Sequence, residues 1–558
     1  MNPFVIISGI LFSFISCAIL AYTSMATPVG PWIAPTIILT SILMSNIMKI
    51  LWQKSLSVKD LVIIQGISAG GGIMATGIGF ALPMLYFLDP LTFNHWLGHP
   101  FYFFCLIGAI CISAGALGLC VGRILSRRFV DNNSLPFPVS TLTYNIATTN
   151  QQKQTKSLLS GVLSTLSILV LRDGIGSWSG IFPKTIYLFP SLFMHEFSFS
   201  FMPMFWAIGS TMGISVIFPI LVGLLSRYII LYPINNHSAY LPFSLFQPYS
   251  PVVFIFAFCS GILIYEVVHA MPSIQSLIKK ISILKNWTLV VFDKLLTFFN
   301  KNLLRSTIQD KPINFMASII MYTEPIITLA LSFCLLIYFK FSLLAQISLI
   351  IFTIIATYHI CFISAEIGLL QLGRFAMLIM LPMYLLFNLS YVQITICCVF
   401  FNVCAAVASD FLFDYKTGLL CGISKTKMHK YQILGLFVSA ACLGLFFWLL
   451  FTSMQVGSSE LFAQKARAKA ALLQTIKFDP YIIAAGFLFA WILKKFKISP
   501  AMTFGGLIMP NNIIFSLLIG ALIPMFLKNK VNFQFFCAGA FSSESIWVFA
   551  SIVCKIFS

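Results

Sequence analysis

Long apolar stretches, separated by short polar segments, make up most of the chain. Apolar residues fill these stretches on all sides, which predicts helices surrounded by lipid or protein. About 20 apolar residues suffice for one helical crossing of a bilayer, whereas an isolated strand cannot span lipid. The stretches run approximately over residues 3–24, 30–52, 61–88, 100–121, 157–171, 204–231, 250–270, 321–339, 342–363, 367–389, 390–409, 431–452, 481–494, 500–526 and 533–556. We therefore predict an all-α polytopic membrane protein of roughly 14–16 transmembrane helices, forming a single domain over 1–558.

Composition supports the same class. Of the 558 residues, 59% are hydrophobic and only 9% are charged, whereas soluble domains carry about 25% charge. The net charge of +19 comes from basic residues in short runs between apolar stretches. This distribution is typical of the positive-inside bias of membrane proteins and does not indicate nucleic-acid binding. The predicted partner is the lipid bilayer.

The first polar loops predict the orientation of the chain. Loops 49–59 and 122–156 carry Lys and Arg, whereas the alternating loops 25–29 and 89–99 carry none. Basic loops remain in the cytoplasm. We therefore predict a multi-pass protein of the cell (inner) membrane with a cytoplasmic N-terminus.

Two longer polar segments, 271–320 and 453–480, are predicted to be extramembrane or interfacial connections. Basic residues two apart in the second segment favour an exposed loop helix. The basic stretch 279–305 would lie on the cytoplasmic side only if residues 174–203 formed a re-entrant hairpin, which we take as a hypothesis.

Two apolar stretches near opposite ends of the chain contain helix breakers. Gly77, Gly79 and Pro83 interrupt the first, and Gly506 and Pro510 interrupt the second. The two share a G-x-x-x-P piece, and a pair of interrupted segments indicates an internal-repeat transporter. A break exposes backbone groups that must face protein, water or substrate. The alternative is close helix packing through small residues.

A third interruption lies between the fourth and fifth apolar stretches. Pro136, Phe137 and Pro138 precede a polar run and forbid a continuous helix. Such a segment lines a substrate path or is an ordinary cytoplasmic loop, and the spacing alone does not choose between them.

Acidic residues at membrane depth are candidates for function, because each costs about 2.5–3.5 kcal/mol at a helix centre. Buried carboxylates also carry protons readily. The acids in or at the ends of apolar stretches are Glu266, Glu324, Glu366, Asp410, Asp414 and Glu544.

Two of these sites have close sequence neighbours. Asp410 and Asp414 share one helix face, and Lys416 could offset their charge. The alternative is that these three residues mark the cytoplasmic end of a helix. Glu266 and His269, three apart, could relay a proton or simply form a pair inside the bundle.

Enzyme and cofactor signatures are missing from the sequence. It has no P-loop, no H-E-x-x-H, no G-x-S-x-G and no dinucleotide fingerprint. The 14 cysteines include no C-x-x-C pair, so no metal site is predicted. Without an ATP site, transport would depend on an ion gradient or on a partner.

Several segments together resemble the oligopeptide transporter (OPT) family. NNSLPFPVSTLTYNIATT is similar to its Leu-Pro-Phe-Pro element, and MTFGGLIMPNNIIFSLLIGALIP and FCAGAFSSESIW resemble its C-terminal elements. AAVASDFLFDYKTGLLCGISKTKMHKYQILGLFVSA resembles the bacterial pattern of two acids four apart followed by Lys-Thr-Gly. The order of these elements along the chain strengthens the resemblance.

The resemblance implies proton-driven import of small peptides, or of metal–chelate complexes as in the related yellow-stripe-like branch. The family often has Gly-Glu followed by Asn-Pro where this chain has Ala365-Glu366-Ile367-Gly368, so the substrate stays open. The other classes are a membrane-embedded glycan or acyl-transfer enzyme and a non-catalytic assembly subunit. The oligomeric state is also open, with a homo-oligomer as one alternative.

The resulting hypothesis places substrate halfway through the bilayer. There the broken segments 66–83 and 505–512 would meet the helices that carry Glu366, Asp410 and Glu544. The acids would couple protons or contact a cationic group. Asn511 and Asn512 would offer amide contacts to a peptide backbone.

Overall fold

The computed structural model describes most of the chain. The described residues are 3–26, 56–131, 135–149, 155–174, 180–182, 185–187, 198–200, 202–236, 254–255, 257–262, 264–265, 315–368, 370–458, 461, 463–474, 480–509, 511–526, 532–541, 543 and 547. Four predicted site residues, Glu266, His269, Pro510 and Glu544, lie outside them.

Helices dominate the described residues. They are α1 (Pro3–Ala26), α2 (Val58–Gly79), α3 (Met84–Leu88), α4 (Pro90–Gly98), α5 (Pro100–Ser126), α6 (Pro138–Thr148), α7 (Thr155–Asp173), α8 (Pro203–Met212), α9 (Ile214–Ser226), α10 (Tyr232–Asn236), α11 (Phe315–Tyr338), α12 (Leu343–Ile367), α13 (Leu372–Phe387), α14 (Tyr391–Leu420), α15 (Lys425–Ser453), α16 (Gln464–Gln474), α17 (Pro480–Lys495), α18 (Pro500–Ile508) and α19 (Asn511–Phe526). Single π-helical turns follow α5 (Arg127–Asp131) and α9 (Arg227–Leu231).

Within the described residues, seven helical segments are long and apolar enough to cross a membrane. They are Pro3–Met25, Val58–Leu88, Pro100–Asp131, Ile217–Ile234, Leu343–Ile367, Tyr391–Leu420 and Lys425–Ser453. Three shorter apolar helices cover Glu324–Tyr338, Phe375–Phe387 and Asn511–Met525. These segments confirm the all-α polytopic class. The number of 14–16 crossings stays a prediction.

Helix α14 is the centre of the bundle. All residues in its apolar window are buried, and α2, α5, α12, α13 and α15 pack around it. A Cβ added at Gly122 of α5 would lie 2.8 Å from the Ala408 carbonyl oxygen, so small residues let these two helix backbones touch. Helices α2 and α14 both begin with a capping box, at Ser57 and Ser390, which fixes where each starts.

The predicted helix breaks are present. Helix α2 ends at Gly79, a turn follows, and α3 begins at Met84. Helix α18 ends at Ile508, and α19 begins at Asn511. We call these the first and the second break. An internal repeat relating them stays a prediction.

Two connecting segments bear on the sequence-based expectations. Residues 185–187 (β1) and 198–200 (β2) pair as antiparallel strands. The re-entrant hairpin in 174–203 stays a hypothesis, because most of that region lies outside the described residues. Helix α16 lies in the segment 453–480, as predicted, but it is not a fully exposed loop helix. Its Lys469 is buried, whereas Arg467 is exposed, because one face of α16 packs against α3, α13 and α1.

Candidate functional site

Two carboxylates are buried on one face of α14. Asp410 is 4% exposed and Asp414 is 0% exposed. They face the small residues of α2: a Cβ at Gly70 would lie 3.9 Å from Asp410 Oδ2, and one at Gly66 would lie 3.8 Å from Asp414 Oδ2. The glycines of α2 therefore leave room beside the acids. We call Asp410 and Asp414 the acid pair.

Two buried amides bind one member of the acid pair. Gln65 Nε2 of α2 donates to Asp414 Oδ1 at 2.5 Å, and Gln432 Nε2 of α15 donates to Asp414 Oδ2 at 2.8 Å. With both nitrogens turned to the carboxylate, the oxygens Gln65 Oε1 and Gln432 Oε1 are buried and have no donor among the described residues. Two buried acceptors without donors favour the binding of a ligand that carries an N–H or O–H group.

The acid pair has no counter-charge among the described residues. No described cation forms an ion pair with Asp410 or Asp414, and Asp410 accepts no hydrogen bond from a described residue. Lys416 is buried too, and its Nζ lies 5.8 Å from the centre of the Phe137 ring. Lys416 therefore forms no ion pair with either acid, and the suggestion that it offsets their charge stays a prediction. The acids are also not at an exposed helix end.

The Leu-Pro-Phe-Pro element connects α12 with α14. Phe137 has a left-handed backbone with φ of 45°, and α6 begins directly after it at Pro138. Its N–H donates to Ala365 O at 2.9 Å, and its ring lies 5.7 Å from the Phe413 ring, edge to face. Ser140 Oγ donates to Phe413 O at 2.8 Å. The element is thus packed into the bundle and is not an ordinary surface loop.

Glu366 lies at the end of α12, next to this element. Its side chain is half-buried and has no hydrogen bond or ion pair to a described residue. Helix α18 reaches the same end of α12, since a Cβ at Gly505 would lie 3.5 Å from Ile367 Cδ1. The half-helix before the second break and the helix of Glu366 are therefore in contact.

The first break is held by one amide and one cation. Asn402 Nδ2 of α14 donates to Gly77 O at 3.1 Å, and Lys469 Nζ of α16 donates to Phe80 O at 2.5 Å. These carbonyls belong to the C-terminal end of α2, which has no further helical partners. Lys469 lies outside the candidate membrane spans, and burial lowers its pKa to about 8. Gly79 and Pro83 therefore mark a break whose free carbonyls accept hydrogen bonds from side chains distant in sequence.

The second break is held by a buried guanidinium. Arg227 Nη1 donates to Met509 O at 3.1 Å and to Leu507 O at 3.3 Å, at the C-terminal end of α18. Its Nη2 donates to Asn511 Oδ1 and to the Tyr228 hydroxyl, and Asn511 Nδ2 donates to that hydroxyl as well. Arg227 has no carboxylate partner among the described residues.

This arrangement bears on the role expected for the two amides after Gly506 and Pro510. The Asn511 amide is engaged within the protein on both its oxygen and its nitrogen. Asn512 Oδ1 accepts from Ile513 N at 3.0 Å. These contacts make Asn511 a structural partner of Arg227, and a role of Asn511 and Asn512 in binding a peptide backbone stays a prediction.

Glu324 belongs to a separate charged cluster. It forms an ion pair with Arg123, and its Oε1 lies 2.9 Å from His429 Nε2, off the direction of a hydrogen bond. Nearby along α15, Lys425 lies 3.9 Å from Asp131. This cluster joins α5, α11 and α15 by ion pairs, and the acid pair is not part of it.

Several residues of the site were missed from the sequence. Gln65, Asn402 and Gln432 are single polar residues within apolar stretches, and Arg227 is a cation within one. A search restricted to acids overlooks them. Arg227 and Lys469 carried a usable signal, because a cation in or beside an apolar stretch needs a partner.

One comparison with known proteins identifies the chain. No curated protein matches it. The family model described as OPT oligopeptide transporter protein matches residues 1–554, nearly the whole length. This match, on a helical bundle with broken membrane segments, identifies a transporter and not an enzyme. The chain belongs to the OPT oligopeptide transporter family.

Proposed function

We propose that the chain is a proton-coupled importer of oligopeptides, in which the acid pair carries the proton and contacts the substrate. Membership of the family supports transport of oligopeptides or related compounds. The site supports the finer statement through its chemistry.

The observation that carries the proposal is the acid pair with its unmatched acceptors. Asp410 and Asp414 are buried without a cation, and Gln65 Oε1 and Gln432 Oε1 lack donors among the described residues. A buried carboxylate without a counter-charge is stable when it holds a proton or meets a cationic ligand. A peptide offers both an ammonium group and backbone N–H donors, which these four acceptor groups would bind.

Coupling of transport to protons follows from the need to neutralise both carboxylates. With the acid pair open to one side of the membrane, a proton and the peptide neutralise the two carboxylates together. The neutralised site then crosses to the other orientation at a lower energetic cost than the empty, ionised one. Transport would therefore depend on the proton gradient through Asp410 and Asp414.

Proteoliposomes with an imposed pH gradient test the proposal. Asp410→Asn and Asp414→Asn should each lower gradient-driven peptide uptake by on the order of tenfold or more. Both variants are expected to fold, because an amide fits the carboxylate volume and, at Asp414, the amides of Gln65 and Gln432 can turn to match it. Asp60→Asn changes an acid in the capping box of α2 and should keep most of the uptake.

Peptide counterflow without a gradient separates the two roles of the acid pair. Retained counterflow with lost gradient-driven uptake would assign the residue to coupling, and loss of both would assign it to substrate binding. If both variants transported peptide at the wild-type rate, the proposal would be wrong. A parallel panel of ferric chelates decides between peptides and metal–chelate complexes.

A further inference from the structure

A shallow groove lies on the protein surface where α4 meets α5. Its residues are far in sequence from the acid pair. It encloses about 490 Å³. Its lining residues are His95, Trp96, His99, Pro100, Phe101 and Tyr102. The groove therefore combines two imidazoles with aromatic walls, and the transport site described above uses none of them.

The two imidazoles lie next to one another, edge to face, and are available to a ligand. Their ring centroids are 5.0 Å apart, and the ring planes are inclined by 64°. Both His95 and His99 are exposed, and neither ring forms a hydrogen bond or ion pair with a described residue. The neighbouring carboxylate of Asp89 is occupied instead by the N–H and the hydroxyl of Thr92.

The spacing of the rings matches that of two imidazoles on one metal ion. A Zn–N distance of about 2.0–2.1 Å places the metal about 3.2 Å from the centre of each ring. At a tetrahedral angle, two such rings have centroids about 5.2 Å apart. The observed 5.0 Å is close to this value. His99 caps the C-terminal end of α4 with a non-helical backbone, so the pair does not have the regular geometry of two residues within one helix.

We propose that His95 and His99 together bind a divalent transition-metal cation such as Cu²⁺, Ni²⁺ or Zn²⁺. Imidazole nitrogens suit these ions, whereas Mg²⁺ and Ca²⁺ require oxygen ligands. With two protein ligands, the remaining positions go to water or to a bound chelator. The ion is therefore exchangeable and does not hold the fold together. The proposal stands independently of the peptide substrate.

Copper binding measured by electron paramagnetic resonance tests this proposal. The full-length transporter, purified without a histidine tag and placed in lipid nanodiscs, is titrated with Cu²⁺. The expected spectrum shows one copper per chain with two imidazole nitrogens in its equatorial plane. His95→Gln and His99→Gln should each leave one imidazole and weaken binding on the order of 100-fold, because the second ligand acts at high effective concentration.

The variants identify the site, because the chain has 7 histidines in all. Asn94→Gln is the matched control, since Asn94 is exposed on the same helix, and it should bind Cu²⁺ like the wild type. Identical titrations and spectra for the wild type, His95→Gln and His99→Gln would overturn the proposal. A wild-type spectrum with a single imidazole would overturn it as well.

Discussion

At both helix breaks a buried cation donates hydrogen bonds to backbone carbonyls, but the two breaks use different cations. In both, a half-helix ends inside the bundle and its last carbonyls accept hydrogen bonds from a buried cation. At the first break the cation is Lys469, assisted by Asn402. At the second it is Arg227, which alone reaches two carbonyls and is held by Asn511. Cations at a helix C-terminus also interact favourably with the helix dipole.

The difference teaches how each break responds to its surroundings. A guanidinium keeps its charge at any pH that a protein tolerates and fixes several acceptors in one plane. An ammonium is a point charge that burial can neutralise, and the pKa of Lys469 is lowered to about 8. The charge at the second break is therefore fixed, whereas the charge at the first break belongs to a group whose pKa is lowered by burial.

Removal of the guanidinium should have the largest effect. Arg227→Leu leaves Leu507 O, Met509 O and Asn511 Oδ1 without this donor, in a place that is buried. A loss of about 3 kcal/mol or more in the free energy of unfolding is expected, since each unsatisfied buried group costs about 1–3 kcal/mol. Thermal unfolding in nanodiscs measures it.

A second arginine variant sharpens this prediction. Arg227→Lys retains the charge but not the planar fork, so it should recover only part of the stability. Arg127→Leu removes an exposed arginine that follows α5 and should change little. Wild-type stability of Arg227→Leu would contradict the role given to the guanidinium.

Replacement of the ammonium should have a smaller, pH-dependent effect. The pKa of Lys469 is lowered in the folded state to about 8, from about 10.4 in an unfolded chain. The unfolded chain therefore binds more protons between these values, and stability rises with pH. The penalty for burying the charge is present in full below pH 8 and is relieved as the pH rises to about 10.4.

The corresponding measurement compares Lys469→Met with the wild type across this range. The variant removes one hydrogen bond, worth about 1–3 kcal/mol when the acceptor stays buried. The stability of the wild type relative to the variant should increase from pH 8 to about pH 10. Parallel curves for the two proteins would show that Lys469 does not titrate in the folded state.

The smallest effect is expected at the amide of the first break. Asn402→Ala removes the hydrogen bond to Gly77 O, while Lys469 still holds Phe80 O. A loss of about 1 kcal/mol is expected, typical of one neutral hydrogen bond. Chemical denaturation measures it, with the exposed Asn94→Ala as control. A loss as large as that of Arg227→Leu would make the two breaks energetically alike.

The sequence contained the breaks but not their partners. Gly79, Pro83 and Gly506 predict interruptions because glycine and proline act on the local backbone. The partners come from far along the chain: Lys469 binds a carbonyl 389 residues away, and Arg227 binds an amide 284 residues away. Only tertiary packing brings such groups together, so no local pattern reveals them.

The partners of the acid pair were likewise not predictable from the sequence. The spacing of Asp410 and Asp414 predicted one shared helix face, and the structure places both in the interior. Their surroundings come from α2 and α15, through Gln65 and Gln432. Lys416, the obvious partner in sequence, lies against Phe137 instead. Helical periodicity fixes the direction of a side chain, whereas the neighbouring helices decide what it meets.

The burial of α14 restricts how the protein can move during transport. A helix enclosed on all sides by α2, α5, α12, α13 and α15 has no lipid-facing side along which to slide. Close-packed interiors resist internal shear. We therefore expect α14 to stay in place during transport and to keep its carboxylates at one depth in the membrane. The outer helices would shift around it and open these carboxylates to either side of the bilayer in turn.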